Sequence, residues 1–138
     1  MKLTCFHLDG APRSPSLYSF ARVLGAGPES DRYQRHLAGG LSAMSGQPEE
    51  AERLLRAIER VERGEASTEI CELDDETEAV VRSDGVQIGH LIADDWTEDE
   101  EGRFRLATFK AAVQGWVAFL RMPDPASALE VELPEEDR

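Results

Sequence analysis

Residues 68–120 read TEICELDDETEAVVRSDGVQIGHLIADDWTEDEEGRFRLATFKAAVQGWVAFL, and the rhythm of apolar residues in this stretch decides the fold. Thr77, Ala79 and Val81 alternate with Glu76, Glu78, Val80 and Arg82. After Ser83-Asp84-Gly85, Val86, Ile88, His90 and Ile92 alternate with Gln87, Gly89 and Leu91. A period of two marks strands with one buried face. An Asp-Gly pair between two such runs predicts a hairpin, because a tight turn that matches the strands' twist needs positive φ, which Asp tolerates and Gly adopts freely. Residues 68–73 join the same antiparallel meander through Asp74-Asp75, a turn-forming pair. The period then lengthens. Leu106, Phe109, Val113, Trp116, Val117 and Leu120 recur at helical spacing and form one apolar face to lie across the sheet, with Phe109 and Trp116 as core residues.

Working outward, residues 48–63 predict a second helix. Pro48 suits a first turn, where its missing N–H has no intrahelical partner, and Glu49, Glu50 and Glu52 face the positive end of the helix dipole. Leu54, Leu55, Ile58 and Val61 make the buried stripe. Arg60 and Arg63 suit the last turn, and Gly64 the left-handed stop. At the N-terminus residues 2–8 alternate as a strand with apolar side chains on both faces, ended by Asp9-Gly10-Ala11-Pro12. Leu17, Phe20, Ala21 and Leu24 fit a short helix capped by Ser14 or Ser16 and stopped at Gly25 or Gly27. Residues 28–37 predict a further helical turn or two, and the small, Gly-rich residues 38–46 a surface loop. Residues 124–138, with six acids against one Arg, read as an acidic tail in which Leu129, Val131 and Leu133 alternate as a last edge strand. The expected fold class is α+β: an antiparallel sheet of three to five strands with helices packed on it, one domain over residues 1–123.

At 138 residues the chain can bury one core unaided, and 41% hydrophobic with 31% charged residues is a globular balance. No apolar run approaches the about 20 residues of a membrane span. These features predict a soluble, cytoplasmic protein. Cys5 and Cys71 each sit in an apolar alternating segment, as free cysteines in a reduced core do; a disulfide between them is the alternative.

Charge narrows the function. Residues 1–63 hold nine basic and eight acidic side chains, net +1, whereas residues 64–138 hold six basic and twenty acidic, net −14. Such a surface repels nucleic acid and anionic membrane and attracts basic partners. Asp94, Asp95, Glu98, Asp99, Glu100 and Glu101 put six carboxylates into eight residues around Trp96. A calcium loop would place Gly sixth and Glu twelfth. Counted from Asp94 those positions are Asp99 and Arg105, so no calcium site is expected. The readings left are a solvated connector and a docking surface for a basic protein, extended by Glu72, Asp74, Asp75 and Glu76. Trp96 favours docking, since Trp is enriched at interface hot spots. Metal and catalytic readings are thin. Cys5 and His7 share a strand face but find no second ligand pair, and Cys71 with His90 forms a thiol and base with no third group to orient them. No metal, cofactor or catalytic residue is expected.

The order meander, acidic loop and closing helix, with Phe109, Lys110, Trp116, Phe119 and Leu120 in a Phe-Lys-x-x-x-x-x-Trp-x-x-Phe-Leu pattern preceded by Phe104 and Leu106, resembles small bacterial immunity proteins of contact-dependent growth inhibition and related polymorphic toxin systems. The resemblance covers residues 50–121 and departs at Arg105, where a Ser or Thr usually caps the last helix. It implies a non-catalytic protein that binds and neutralises one cognate toxin domain in the cytoplasm, one copy to each toxin. Toxins that act on nucleic acid carry basic clefts, and an acidic inhibitor is steered toward them. The rival class is an accessory interaction protein, or a small enzyme subunit, with no toxin.

Overall fold

The computed structural model describes residues 1–9, 17–25, 27–44, 46–90, 100–124 and 127–134. Strands β1 (Lys2–Asp9) and β2 (Leu17–Leu24) are followed by helix α1 (Pro28–Arg32), a π-helical turn (Tyr33–Ala38) and helices α2 (Gly39–Ala43) and α3 (Pro48–Glu62). Strands β3 (Thr68–Glu72), β4 (Thr77–Arg82) and β5 (Gly85–His90) then form the meander. A 3₁₀ turn (Glu100–Gly102) leads into β6 (Arg103–Phe104), helix α4 (Leu106–Leu120) and β7 (Leu129–Glu132). Two antiparallel sheets result, ordered β2-β1-β7 and β3-β4-β5-β6. The α+β class is therefore as the sequence predicts, with β4 and β5 central in the larger sheet.

Local signals act as expected in three places. Helix α3 begins at Pro48, buries Ala51, Leu54, Ala57, Ile58 and Val61, and stops at Gly64 with φ 75°. Helix α4 starts after an extended Arg105 that makes no side-chain cap bond, so its position is held by the burial of Phe109, Val113, Trp116 and Phe119. At the hairpin Arg82 pairs with Gly85, leaving Ser83-Asp84 as the loop. Gly85 has φ 148°, and a Cβ there would stand 2.9 Å from the Phe104 carbonyl, so both the turn and the neighbouring strand require glycine.

The N-terminal strand does not join the meander. β1 pairs with β2 along its whole length and with β7 through residues 2–5. The alternation of residues 129–133 is thus realised as an edge strand within the stretch read as a tail. The two faces of β1 have different neighbours: Phe6 on one stacks on Phe20 of β2 at 6.0 Å between centroids, while the face of Leu3, Cys5 and His7 turns into the core. Leu3 and Cys5 are fully buried, and the His7 ring stacks on Phe119 of α4 at 4.5 Å between centroids. Helix α4 touches both sheets, and a single core runs from Leu3 and Val23 through Trp116 to Val81 and Ile88. One apolar helix face can cover two sheets only if they share that core.

Two expectations are corrected. Residues 17–24 form a strand, not a helix: Ala21 and Val23 are buried while Arg22 and Leu24 are exposed, a period of two. The apolar positions Leu17, Phe20, Ala21 and Leu24 fit either period. The long register with β1 selects the strand. Residues 38–46, expected as a surface loop, contain α2, with Gly40 and Leu41 buried. Gly40 lets this helix approach the larger sheet closely, since a Cβ would sit 3.3 Å from Leu73 and 3.6 Å from Ile88. No described helix is long and apolar enough to cross a membrane.

Candidate functional site

The antiparallel order of the meander decides where its acids go. β3 and β5 run in the same direction, so the β3–β4 turn and the C-terminal end of β5 lie at one end of the sheet, and the hairpin at Ser83-Asp84 lies at the other. The chain leaves that first end at His90 and returns there through the turn Glu100–Gly102, with Gly102 against Ile88. Asp74 and Asp75, from one turn, and Glu100 and Glu101, from another, therefore share one end of the sheet although the sequence separates them by some 25 residues. All four are exposed. Asp74 shapes its own turn, accepting a hydrogen bond from the Glu76 N–H at 2.8 Å. Asp94, Asp95, Trp96, Glu98 and Asp99 lie outside the described residues.

The return of the chain is held by basic groups from the near-neutral half. Arg32 is 4% exposed and its guanidinium donates to the main-chain carbonyls of Glu101 and Arg103. It also meets the Glu29 carboxylate at 3.3 Å and lies over the rings of Tyr33 and Phe104, at 4.8 and 4.4 Å from their centroids. Its planar fork explains how one side chain can bond carbonyls and stack at once. Arg35 and the buried His36, from the π-helical turn, each lie 3.9 Å from the Glu101 carboxylate. On the other side Arg103 donates to the Gln87 side-chain oxygen at 3.0 Å. Gly102 lies so close to β5 that a Cβ would collide with the Ile88 carbonyl and stand 2.9 Å from the Gln87 amide.

Glu101 is thus partly a structural residue, its carboxylate facing Arg35 and His36 and its carbonyl held by Arg32. Glu100, one residue earlier, and the Asp74-Asp75 turn are exposed at the same end of the sheet. Sequence reasoning did not find Arg32, Arg35 or His36, because a buried arginine leaves no periodic trace: it is set by which carbonyls the tertiary fold leaves pointing at it.

The catalytic and metal alternatives gain nothing from the geometry. Cys71 and His90 belong to β3 and β5, with β4 between them, so they are not on neighbouring strands. His7 is occupied by a 3.1 Å contact from its Nδ1 to the Ser19 hydroxyl and by stacking on Phe119. Cys5 and Cys71 are free thiols in different sheets; burial pushes Cys5 up to about 12 and, with the nearby Glu69 charge, Cys71 up to about 11, which keeps both protonated and unreactive at neutral pH. Among the described residues no group of three His, Cys, Asp or Glu side chains is arranged to hold a metal ion.

No protein-family model matches this chain, and no curated protein and no solved structure matches it either.

Proposed function

We propose that this chain is a non-catalytic immunity protein that binds and neutralises a basic, nucleic-acid-acting toxin domain, docking through the acidic end of its larger sheet. The observation that carries this reading is the meeting of two separate acidic turns, Asp74–Asp75 and Glu100–Glu101, at one sheet end, in a half of the chain with net charge −14. Like charges gathered on a fixed frame repel one another, and a cationic surface relieves that repulsion while being drawn in from a distance. The other carboxylates of the expected docking surface, Asp94, Asp95, Glu98 and Asp99, and the Trp96 beside them belong to residues 91–99, outside the described residues, and enter this reading from the sequence alone. The resemblance of the closing helix to immunity proteins supports the same partner class.

The test is association kinetics with the toxin domain encoded beside this chain, at low and high salt. Asp75→Lys combined with Asp99→Lys should slow association, and salt should slow the unmodified protein. Glu101 is left intact, since it answers Arg35 and His36. Thermal melts should agree within about 0.5 kcal/mol, as for surface substitutions generally. An association rate indifferent to both salt and charge reversal would reject the acidic end as the docking surface.

A further inference from the structure

The edges of the two sheets are finished differently. In β2 the outward N–H groups of Ala21 and Val23 donate to the Ser42 hydroxyl at 3.0 Å and the Gln34 side-chain oxygen at 2.8 Å. At β6 the outward carbonyls of Glu101 and Arg103 are taken by Arg32. Among the described residues β3 has no such closure. The 2.8 Å bond from the Leu73 N–H to the Thr77 carbonyl fixes the alternation, so Glu69, Cys71 and Leu73 bond inward to β4. Thr68, Ile70 and Glu72 then turn their main-chain groups outward, and no described residue bonds them. β7 is also an open edge, but it is four residues long and its outward residues Glu130 and Glu132 are both acidic and exposed. β3 instead presents Ile70, 65% exposed, beside a groove of about 470 Å³ between it and α3, lined by the apolar Met44, Leu54, Ala57 and Cys71 together with Glu50, Arg53 and the Arg60–Glu69 ion pair, so its apolar part suits the uncharged side chains of a strand.

The surroundings choose the sign of any partner. Residues 65–78 hold seven acids and no Lys or Arg, and Glu65, Glu72, Asp74, Asp75 and Glu76 are exposed. A second copy of this chain, brought edge to edge, would set these carboxylates against their own likeness at net charge −13 for each molecule. We propose that β3 is a docking edge for an extended basic segment of a partner protein, which adds to the sheet as a strand next to β3. Main-chain bonds to Thr68, Ile70 and Glu72 supply affinity, and alternate side chains of the segment meet Ile70 on one face and the α3 groove on the other. Lysines or arginines of the segment answer Glu72, Asp74 and Asp75. This rests on the reading of a basic protein partner and adds to it the form in which that partner binds.

The experiment uses the full chain and a short synthetic peptide alternating lysine and valine, with a glutamate-valine counterpart as control. Amide exchange and chemical shifts are followed by NMR. The lysine peptide should bind and protect the amides of Ile70 and Glu72, the glutamate peptide should not, and Ile70→Pro should weaken binding about tenfold or more. Proline at an outward N–H of an edge strand leaves the inward ladder intact, so the variant's spectrum away from β3 should stay that of the parent. Ile70→Lys, which keeps the N–H, is the check if the proline variant fails to fold: it should lose the apolar contact and bind more weakly. Protection of another strand, or equal binding by Ile70→Lys, would overturn the proposal, as would protection of the same amides by self-association without peptide. With a basic toxin domain as ligand, tight binding that leaves the β3 amides unprotected removes the edge but keeps the function proposed above. Peptide addition at β3 with no toxin binding does the reverse.

Discussion

Edge strand β2 is eight residues long and faces helices of its own chain; edge strand β3 is five residues long and faces solvent among carboxylates. An unpaired row of N–H and C=O groups is a template for any passing strand. β2 meets the problem with side chains: Gln34 and Ser42 reach from the π-helical turn and α2 and use its outward groups. β3 meets it with charge, which leaves the main chain available but makes most strands unwelcome. Closure by side chains is indifferent to the partner, whereas closure by charge admits one sign. The difference separates an edge bonded by its own fold from one whose outward groups no described residue bonds.

The comparison assumes that both sheets are held by the same core, and the largest test breaks that core. Trp116 is fully buried on α4, the helix that touches both sheets, and its ring lies 5.5 Å from Phe119, which in turn stacks on His7 of β1. Trp116→Ala should cost about 3–5 kcal/mol, and probes placed in β1 and in β4 should report one shared melting transition. Two separate transitions would mean that the sheets are stable independently and that their edges cannot be compared as parts of one body.

A smaller effect sharpens the contrast at β6. Arg32→Met keeps the length and the apolar stem but removes the donor from the Glu101 and Arg103 carbonyls. A hydrogen bond to a charged group contributes about 2 kcal/mol, and that loss should appear in a denaturant melt. Amide exchange should quicken in β6 before it does in β3 or β4. An unchanged melt would show that the acidic connector's return is held by its burial against β5 alone.

The smallest effect opens the closed edge. Ser42→Ala removes two neutral hydrogen bonds from β2, to the Ala21 N–H and carbonyl, and Gln34→Ala removes one, at a cost of about 1 kcal/mol for each bond. If side-chain closure is what keeps β2 unavailable, the double variant should associate more strongly with rising concentration in sedimentation experiments. A monomer at every concentration would mean that the bulk of the helices, and not these three bonds, guards the edge.

What was legible in the sequence is what neighbours along the chain decide. The hairpin between β4 and β5, helix α3 between Pro48 and Gly64, and the burial of Phe109, Val113 and Trp116 on α4 follow from turn geometry, capping and periods of two and 3.6, all of which act within a few residues. The acidity of the second half is likewise a property of composition. The rest depended on contacts between distant residues. Whether residues 17–24 become helix or strand is undecided by their own pattern and is settled by a full register with β1. The sheet holding β1 is closed by a strand more than 120 residues away, and no local signal carries that pairing. The site divides in the same way. Its carboxylates are visible as runs, but only the antiparallel order brings Asp74 and Asp75 to the end where Glu100 and Glu101 stand. Only the folded chain shows which of these charges Arg35 and His36 already answer, because a side chain's partners are fixed by the space around it and not by its place in the chain.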